Sequence, residues 1–381
     1  MIDNIRQCFW QRYGVEGKLY AAPGRVNLIG EHTDYNNGFV LPGAINKSFY
    51  MIAVPNGTHK CNIYAMDFKE SVSFDVGDTV APETLWGRYV FGEIKELQRL
   101  GKKIEGFDAV VSSDIPIGAG ISSSAAFISV ICIALNDLFQ LGLSRMEMVQ
   151  AGQMCGHHDV GVRCGTMDQF ASLFGAEKKL ILLDCKTLEY KYVPFTPSEL
   201  SIILLDTQVK HSLASSKYNA RRAECEAGVA KLQERYPHVT SLRDVSIEML
   251  QAHRSELSPA VYNRCSFVVE ENNRVLDTCI ALTQGDDERL GLNMHASHHG
   301  LSKKYEVSCA ELDFLQDVAH RFDGVVGARM MGGGLGGCTI NLVRDEAVED
   351  FISESSVRYN KKFWKEFRVI EVNIGSGARM L

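Results

Sequence analysis

The sequence has no Cys-x-x-Cys pair, no Gly-Lys-Ser or Gly-Lys-Thr after a glycine-rich loop, no Gly-x-Ser-x-Gly and no internal repeat. Each absence removes a class. Eleven cysteines, an odd number, are scattered along the chain, which reads as reduced thiols of a cytoplasmic protein and not as a disulfide framework. His157-His158-Asp159 and His295-x-x-His298-His299 lack the paired cysteines of structural zinc, so no dedicated metal site is expected there. Without the lysine of the Walker loop the chain is no P-loop protein, and without a nucleophile elbow it is no serine hydrolase of that type. The most apolar run, Ala125 to Leu135, stops at Asn136-Asp137 and is too short to span a bilayer. The first thirteen residues contain no unbroken apolar core, so no signal peptide is expected. Basic residues number 40 and acidic ones 47, for a formal charge of −7, which argues against general nucleic-acid binding.

What remains is 381 residues with 45% apolar and 23% charged content, enough for two domains and a large core. Helices are expected over Ile2 to Tyr13, Trp86 to Leu100, Ser123 to Phe139, Arg145 to about Asp159 and Tyr218 to Arg235. Much of Ile247 to His320 and Glu346 to Ser355 also reads as helical. Strands are expected near Lys18 to Ala22, Phe39 to Leu41, Ser48 to Val54, Asn62 to Tyr64, Phe107 to Ser112, Leu180 to Asp184, Ile202 to Thr207 and Arg368 to Ile374. A strand, a glycine turn and a second strand are expected within Val325 to Leu342. These elements mix without regular βαβ alternation, which favours an α+β fold. Pro194 and Pro197 mark a boundary between domains 1–196 and 197–381.

Five segments concentrate groups that could carry chemistry. Pro23 to Asn36 packs Arg25, Glu31, His32, Asp34 and Tyr35 into a loop-like span, which suits a ligand rich in hydroxyls or is an ordinary polar surface loop. Ser113 to Ala126 places Gly118 and Gly120 before Ser122, Ser123 and Ser124 at a helix start. Free amide donors and the helix dipole make that a phosphate cradle, unless the small residues serve packing alone. Gly332 to Cys338 holds five glycines in seven residues, as close backbone approach to a ligand or another loop requires. Asp168 sits in an apolar neighbourhood, either capped and ion-paired or functional. His211 to Arg222 could bring hydroxyls and the Tyr218 phenol to a cleft.

Taken together, Gly24 to Tyr35, Pro116 to Ala126 and Gly327 to Cys338 closely resemble the three ordered motifs of the GHMP small-molecule kinases, and the first resembles the galactokinase signature. Cys164 to Phe170, His211 to Arg222, Tyr305 to Asp313 and Gly375 to Leu381 match as well, so the resemblance covers nearly the whole chain. It implies an N-terminal domain like the second domain of ribosomal protein S5, a ferredoxin-like C-terminal domain and an active site between them. It implies transfer of the ATP γ-phosphoryl group to the C1 hydroxyl of α-D-galactose by a monomer. Asp168 would be the base and Arg25 would stabilise the transferring group. Glu31, His32, Asp34, Gly165 and Tyr218 match sugar-binding positions. Gly118, Gly120 and Ser122 to Ser124 match the phosphate loop, and Trp86 matches an aromatic near adenine.

One departure stands out. The family's helix before Cys164 carries a glutamate that contributes to Mg²⁺ binding, and counting back from Cys164 puts Gly156 there. Mg²⁺ leans on phosphate oxygens and water, so the expectation is that Ser123 and the nucleotide hold the ion, with Asp159 a substitute one turn away. Two rivals remain: a kinase for another sugar, such as N-acetylgalactosamine or arabinose, and a catalytically silent galactose sensor. The complete run Ser122 to Ala126, with Arg25 and Asp168 present, speaks against the sensor.

Overall fold

The computed structural model describes residues 1–116, 118–161, 165–196, 199–209 and 214–381. In chain order the first half contains α1 (Ile2–Tyr13), β1 (Lys18–Asn27), β2 (Phe39–Val40), β3 (Pro42–Pro55), β4 (Lys60–Ala65) and β5 (Glu70–Asp75). It continues with α2 (Leu85–Arg99), β6 (Phe107–Ser113), α3 (Ser123–Leu138), α4 (Arg145–Cys155), α5 (Met167–Phe174), β7 (Lys179–Asp184) and β8 (Tyr190–Pro194). The second half contains β9 (Leu200–Asp206), α6 (Ala214–Gln233), α7 (Ile247–Ala252), α8 (Pro259–Gln284), α9 (Asp287–Lys303) and α10 (Ala310–His320). It ends with β10 (Val325–Met330), β11 (Cys338–Arg344), α11 (Val348–Phe363), β12 (Arg368–Val372) and β13 (Arg379–Met380).

Six strands form the first sheet in the order β13-β1-β3-β6-β4-β5, antiparallel except for β4 beside β6. Two-residue alternation sorts its side chains. Tyr20, Ala22, Met51, Ala53, Ala109 and Val111 join the core under the helices, while Leu19, Ile52 and Val110 meet Ile5 and Phe9 of α1 on the other face. Helix α3 touches β1, β3, α2, α4 and α5, and is therefore apolar nearly all round.

The second sheet runs β10-β11-β9-β12, all antiparallel. Ile203, Leu205 and Val343 pack with Phe351 and Tyr359 on one face. Ile202, Leu204 and Leu342 face a core that also holds Val26, Leu28, Ile45 and Ile121 of the first half. The two halves thus share buried surface along the first motif. Strand β13 returns to pair with β1 through Tyr20 and Met380.

This is the expected α+β mixture, with local differences. Residues 23–27 continue strand β1 instead of forming a loop, with a register shift between Pro23 and Arg25. Strands β5 and β8 and the eight-residue α5 were not foreseen. The helix from Arg145 changes at Gly156 into a π-type turn, Gly156–Val160, before Gly161.

Candidate active site

A cavity of about 190 Å³ opens where the halves meet. Its wall takes Arg25, Glu31, His32 and Asp34 from the first motif and Ser124 from the serine-glycine loop. Asp168 and Tyr218 complete it with Gly332 and Gly333 of the glycine run. The five segments singled out in the sequence therefore converge. Ile117, Cys164 and His211 to Leu213 belong to those segments but lie outside the described residues.

The bulge in β1 sets Arg25. A Cβ on Gly24 would stand 2.6 Å from the Ile121 carbonyl, so glycine is required for this approach. Arg25 N–H then donates to Ile121 O at 3.1 Å, and its Nη1 donates to Gly120 O at 2.8 Å. Its Nε donates to Asp168 Oδ1 at 2.8 Å, with Asp168 in the first turn of α5. The Arg25 side chain is 5% exposed and that of Asp168 29%. Burial works against the guanidinium charge, but Asp168, Glu31 and Asp34 outweigh it and hold Arg25 above its ordinary range.

The sugar-type residues are buried and mutually constrained. Glu31 Oε1 accepts from Gly332 N–H at 2.8 Å and from Arg329 at 3.1 Å. Asp34 is pushed up to about 7, chiefly by burial and then by Asp168. A Cβ at Gly165 would run into the Asp34 carboxylate, which is why that position has no side chain. His32 adopts a left-handed backbone, φ 63°, and burial lowers it to about 3, so its ring is neutral at pH 7. Its ring packs against Tyr218 and Tyr305 at centroid separations of 5.5 and 4.9 Å.

The serine-glycine loop turns through left-handed backbone at Gly118, Gly120 and Ser122, with φ of 82°, 74° and 58°. Ser122 is the N-cap of α3, and its buried Oγ has no hydrogen-bond partner in the protein. Free amides, an unpartnered hydroxyl and the positive helix end make an anion site. The glycine run packs on this loop backbone to backbone. A Cβ on Gly332 would meet Gly120 O at 3.0 Å, and one on Gly337 would meet Ala119 at 3.6 Å.

Gly165, Gly118, Gly120, Ser122, Ser123, Trp86 and Asp159 stand outside the cavity wall. Ser123 is half-buried in the first turn of α3. Trp86 packs on the first-half core and donates to Glu70 at 3.1 Å, whereas Tyr89, one turn along α2, lines the cavity. Asp159, expected as a substitute for the missing glutamate, is not on the cavity wall. Gly156 lines the cavity, but the π-type turn swings Asp159 onto Gly92 of α2, beside Glu96, Arg99 and His158. Sequence reasoning also passed over Arg329, whose only signal was a lone arginine in an apolar strand.

Comparison with known proteins gives a consistent result. The galactokinase galactose-binding signature matches residues 7–55, the GHMP kinases N terminal domain residues 88–176 and the GHMP kinases C terminal domain residues 280–356. A galactokinase of Roseiflexus sp. is 38% identical over 363 residues, covering 94% of this chain and 93% of that one. One of Thermotoga neapolitana is 39% identical over 360 residues, covering 94% and 99%. The crystal structure of Lactococcus lactis galactokinase complexed with galactose superposes with a TM-score of 0.97, at 35% identity and full coverage of both chains. Methanococcus jannaschii mevalonate kinase, at 18% identity and a TM-score of 0.65 over 95% of this chain and 99% of its own, shares the fold.

Proposed function

The chain belongs to the galactokinase family of the GHMP kinases, and on that premise we propose how it phosphorylates α-D-galactose at C1 with ATP. The observation that carries the reading is the Arg25–Asp168 pair, which faces the cavity beside the N-terminus of α3. Asp168 accepts the proton of the C1 hydroxyl as that oxygen bonds to the γ-phosphorus and the bond to the β-phosphate oxygen breaks. ADP leaves and galactose 1-phosphate remains. Arg25 orients the Asp168 carboxylate and faces the charge that builds on the transferring group. Positioning does most of the work.

Glu31, His32, Asp34 and Tyr218 hold the sugar, and Gly165 leaves room for the Asp34 carboxylate. Gly118, Gly120 and Ser122 to Ser124 receive the phosphates, and Trp86 stands on the adenine side. The unpartnered Ser122 hydroxyl and the first amides of α3 support a phosphate fit. Mg²⁺ supplies neutralisation of phosphate charge when bound. Among the described residues no three His, Cys, Asp or Glu side chains form a metal cluster, and Gly156 offers no carboxylate. The residue that would hold Mg²⁺ is Ser123, in company with the phosphates.

The domains would divide at 196/197, with β13 crossing back to the first sheet. Free cysteines at every described position support a cytoplasmic setting. No described helix is long and apolar enough to cross a membrane. The test is ADP release across a panel of hexoses and pentoses with ATP and Mg²⁺. Galactose should give the highest kcat/KM. Preference for N-acetylgalactosamine or arabinose, or tight galactose binding without ADP release, would overturn the reading.

A further inference from the structure

Behind the cavity wall at His32 runs a line of polar groups that no step above uses. His32 Nδ1 lies 2.7 Å from Tyr35 Oη, Tyr35 Oη lies 2.8 Å from Tyr305 Oη, and Tyr305 Oη lies 3.3 Å from Cys225 Sγ. Tyr305 and Cys225 are fully buried and come from the second half, after α9 and on α6. Arg221 Nε donates to the Tyr305 carbonyl at 2.6 Å and fixes that residue in place.

Each of these groups owns a single proton, so the line must point one way. If Cys225 donates to Tyr305, Tyr305 to Tyr35 and Tyr35 to Nδ1, then His32 carries its proton on Nε2. If the line is reversed, Nε2 is a bare acceptor. Nε2 is buried at the cavity end of the line with no close hydrogen-bond partner. The Gly333 backbone beside the ring favours a proton there and Glu31, Asp34 and Asp168 stand on the same wall, while burial, Arg221 and Arg329 oppose a second proton and keep the ring neutral.

We propose that Tyr305 and Cys225 are positioning residues for the sugar: their hydrogen-bond line through Tyr35 holds neutral His32 in the Nε2–H tautomer, presenting one donor to one sugar hydroxyl. This rests on the sugar-binding reading above. A sugar hydroxyl that donates to a carboxylate oxygen still has oxygen lone pairs to offer. A fixed N–H meets that oxygen, and a wandering tautomer would not.

The test is the tautomer itself. His32 is read by long-range proton–nitrogen correlation on the full-length, ¹⁵N-histidine-labelled protein at neutral pH without sugar. Wild type should show Nε2–H. Tyr305→Phe, which keeps the ring and removes the oxygen, should shift His32 towards Nδ1–H, and Tyr35→Phe should do the same one link nearer. Nδ1–H in the wild type, or an unchanged tautomer in both variants, overturns the proposal. In turnover, Tyr305→Phe should raise the galactose KM about tenfold, the effect of one lost hydrogen bond, and leave kcat within a factor of about three. The rise should vanish for the monodeoxygalactose that lacks the hydroxyl met by His32. An equal rise for every deoxy sugar would mark a merely structural role and overturn the proposal. The spectrum needs no sugar, so failure of the relay and failure of the galactose reading are told apart.

Discussion

Arg329 and Glu31, 298 positions apart in sequence, form an ion pair of 3.1 Å in which neither side chain is more than 2% exposed. The guanidinium also donates to the carbonyls of Asn27, Leu28 and Met330. Glu31 takes the Gly332 N–H, so one buried cluster ties the first motif to the glycine run. Arg329→Met would take from buried Glu31 its ion-pair partner, leaving it the Gly332 N–H and the field of Arg25, and would deprive three carbonyls of a donor. The expected loss is about 3–5 kcal/mol, read as a lower urea midpoint with an unchanged slope. A midpoint equal to wild type would mean that solvent or another cation replaces the pair.

Asp168→Asn keeps an oxygen for Arg25 Nε but removes the basic carboxylate. Loss of a general base lowers rate by about 10²–10⁴-fold, and the fall should appear in kcat. The galactose KM should stay within a factor of about three, because Glu31, His32 and Asp34 are untouched. A variant that loses sugar binding along with turnover would show that Asp168 acts mainly as a binding group.

Gly120 has φ of 74° and supplies the carbonyl that Arg25 holds at 2.8 Å. Gly120→Ala places a side chain on left-handed backbone, at a cost of about 1–2 kcal/mol. A Cβ there would make only ordinary contact with the Met331 carbonyl, at 3.5 Å, so the strain lies in the backbone. Relief of that strain should displace the phosphate loop and raise the ATP KM several-fold more than the galactose KM. Steady-state kinetics with each substrate varied in turn would decide, and equal changes in both constants would count against a phosphate role.

Much of this site was legible in sequence because its parts are local. Glycines before a serine run, and a dense polar span after Pro23-Gly24, are patterns of neighbours. What escaped depends on distant partners. Residues 23–27 look like a loop because of proline and glycine, yet β3 pairs with them across a bulge that needs Gly24. Edge strand β5 alternates with charged and polar residues on its exposed side, and β8, at the edge of the small sheet β2-β7-β8, buries only Val193, which weakens their apolar signal. Arg329 finds its partners near residue 30, and Tyr305 reaches His32 through Tyr35. Ordinary α-helical spacing does not foresee the position of Asp159, because the backbone takes a wider turn there.

That wider turn has a consequence for the metal. Asp159 packs against Gly92, with Glu96, Arg99 and His158 as its charged neighbours, and is absent from the cavity wall. Asp159→Ala should therefore leave the Mg²⁺ concentration for half-maximal activity within a factor of about two, since one lost carboxylate ligand would cost affinity well beyond that. A Mg²⁺ titration at fixed ATP and galactose checks it. A tenfold rise would return Asp159 to the metal site.

Glu93, on α2, is fully buried, and neither carboxylate oxygen has a close hydrogen-bond partner. Burial, opposed by the Cys132 thiol beside it and reinforced by Glu96 and Asp159, pushes it up from 4.5 to about 8. Between those two values the unfolded chain gives up this proton while the folded protein keeps it. The folded state then binds more protons, so this group's contribution to stability falls as pH rises through the window and levels off above about 8. Glu93→Met removes both the linkage and the unpartnered carboxyl at similar volume. At pH 7 it should be more stable than wild type by about 1–3 kcal/mol. The difference should be smaller at pH 5 and widest at pH 8, as read from urea midpoints of the two proteins in parallel. A difference constant over that range would mean that Glu93 ionises normally in the folded protein, with water or a partner reaching it inside the helix layer.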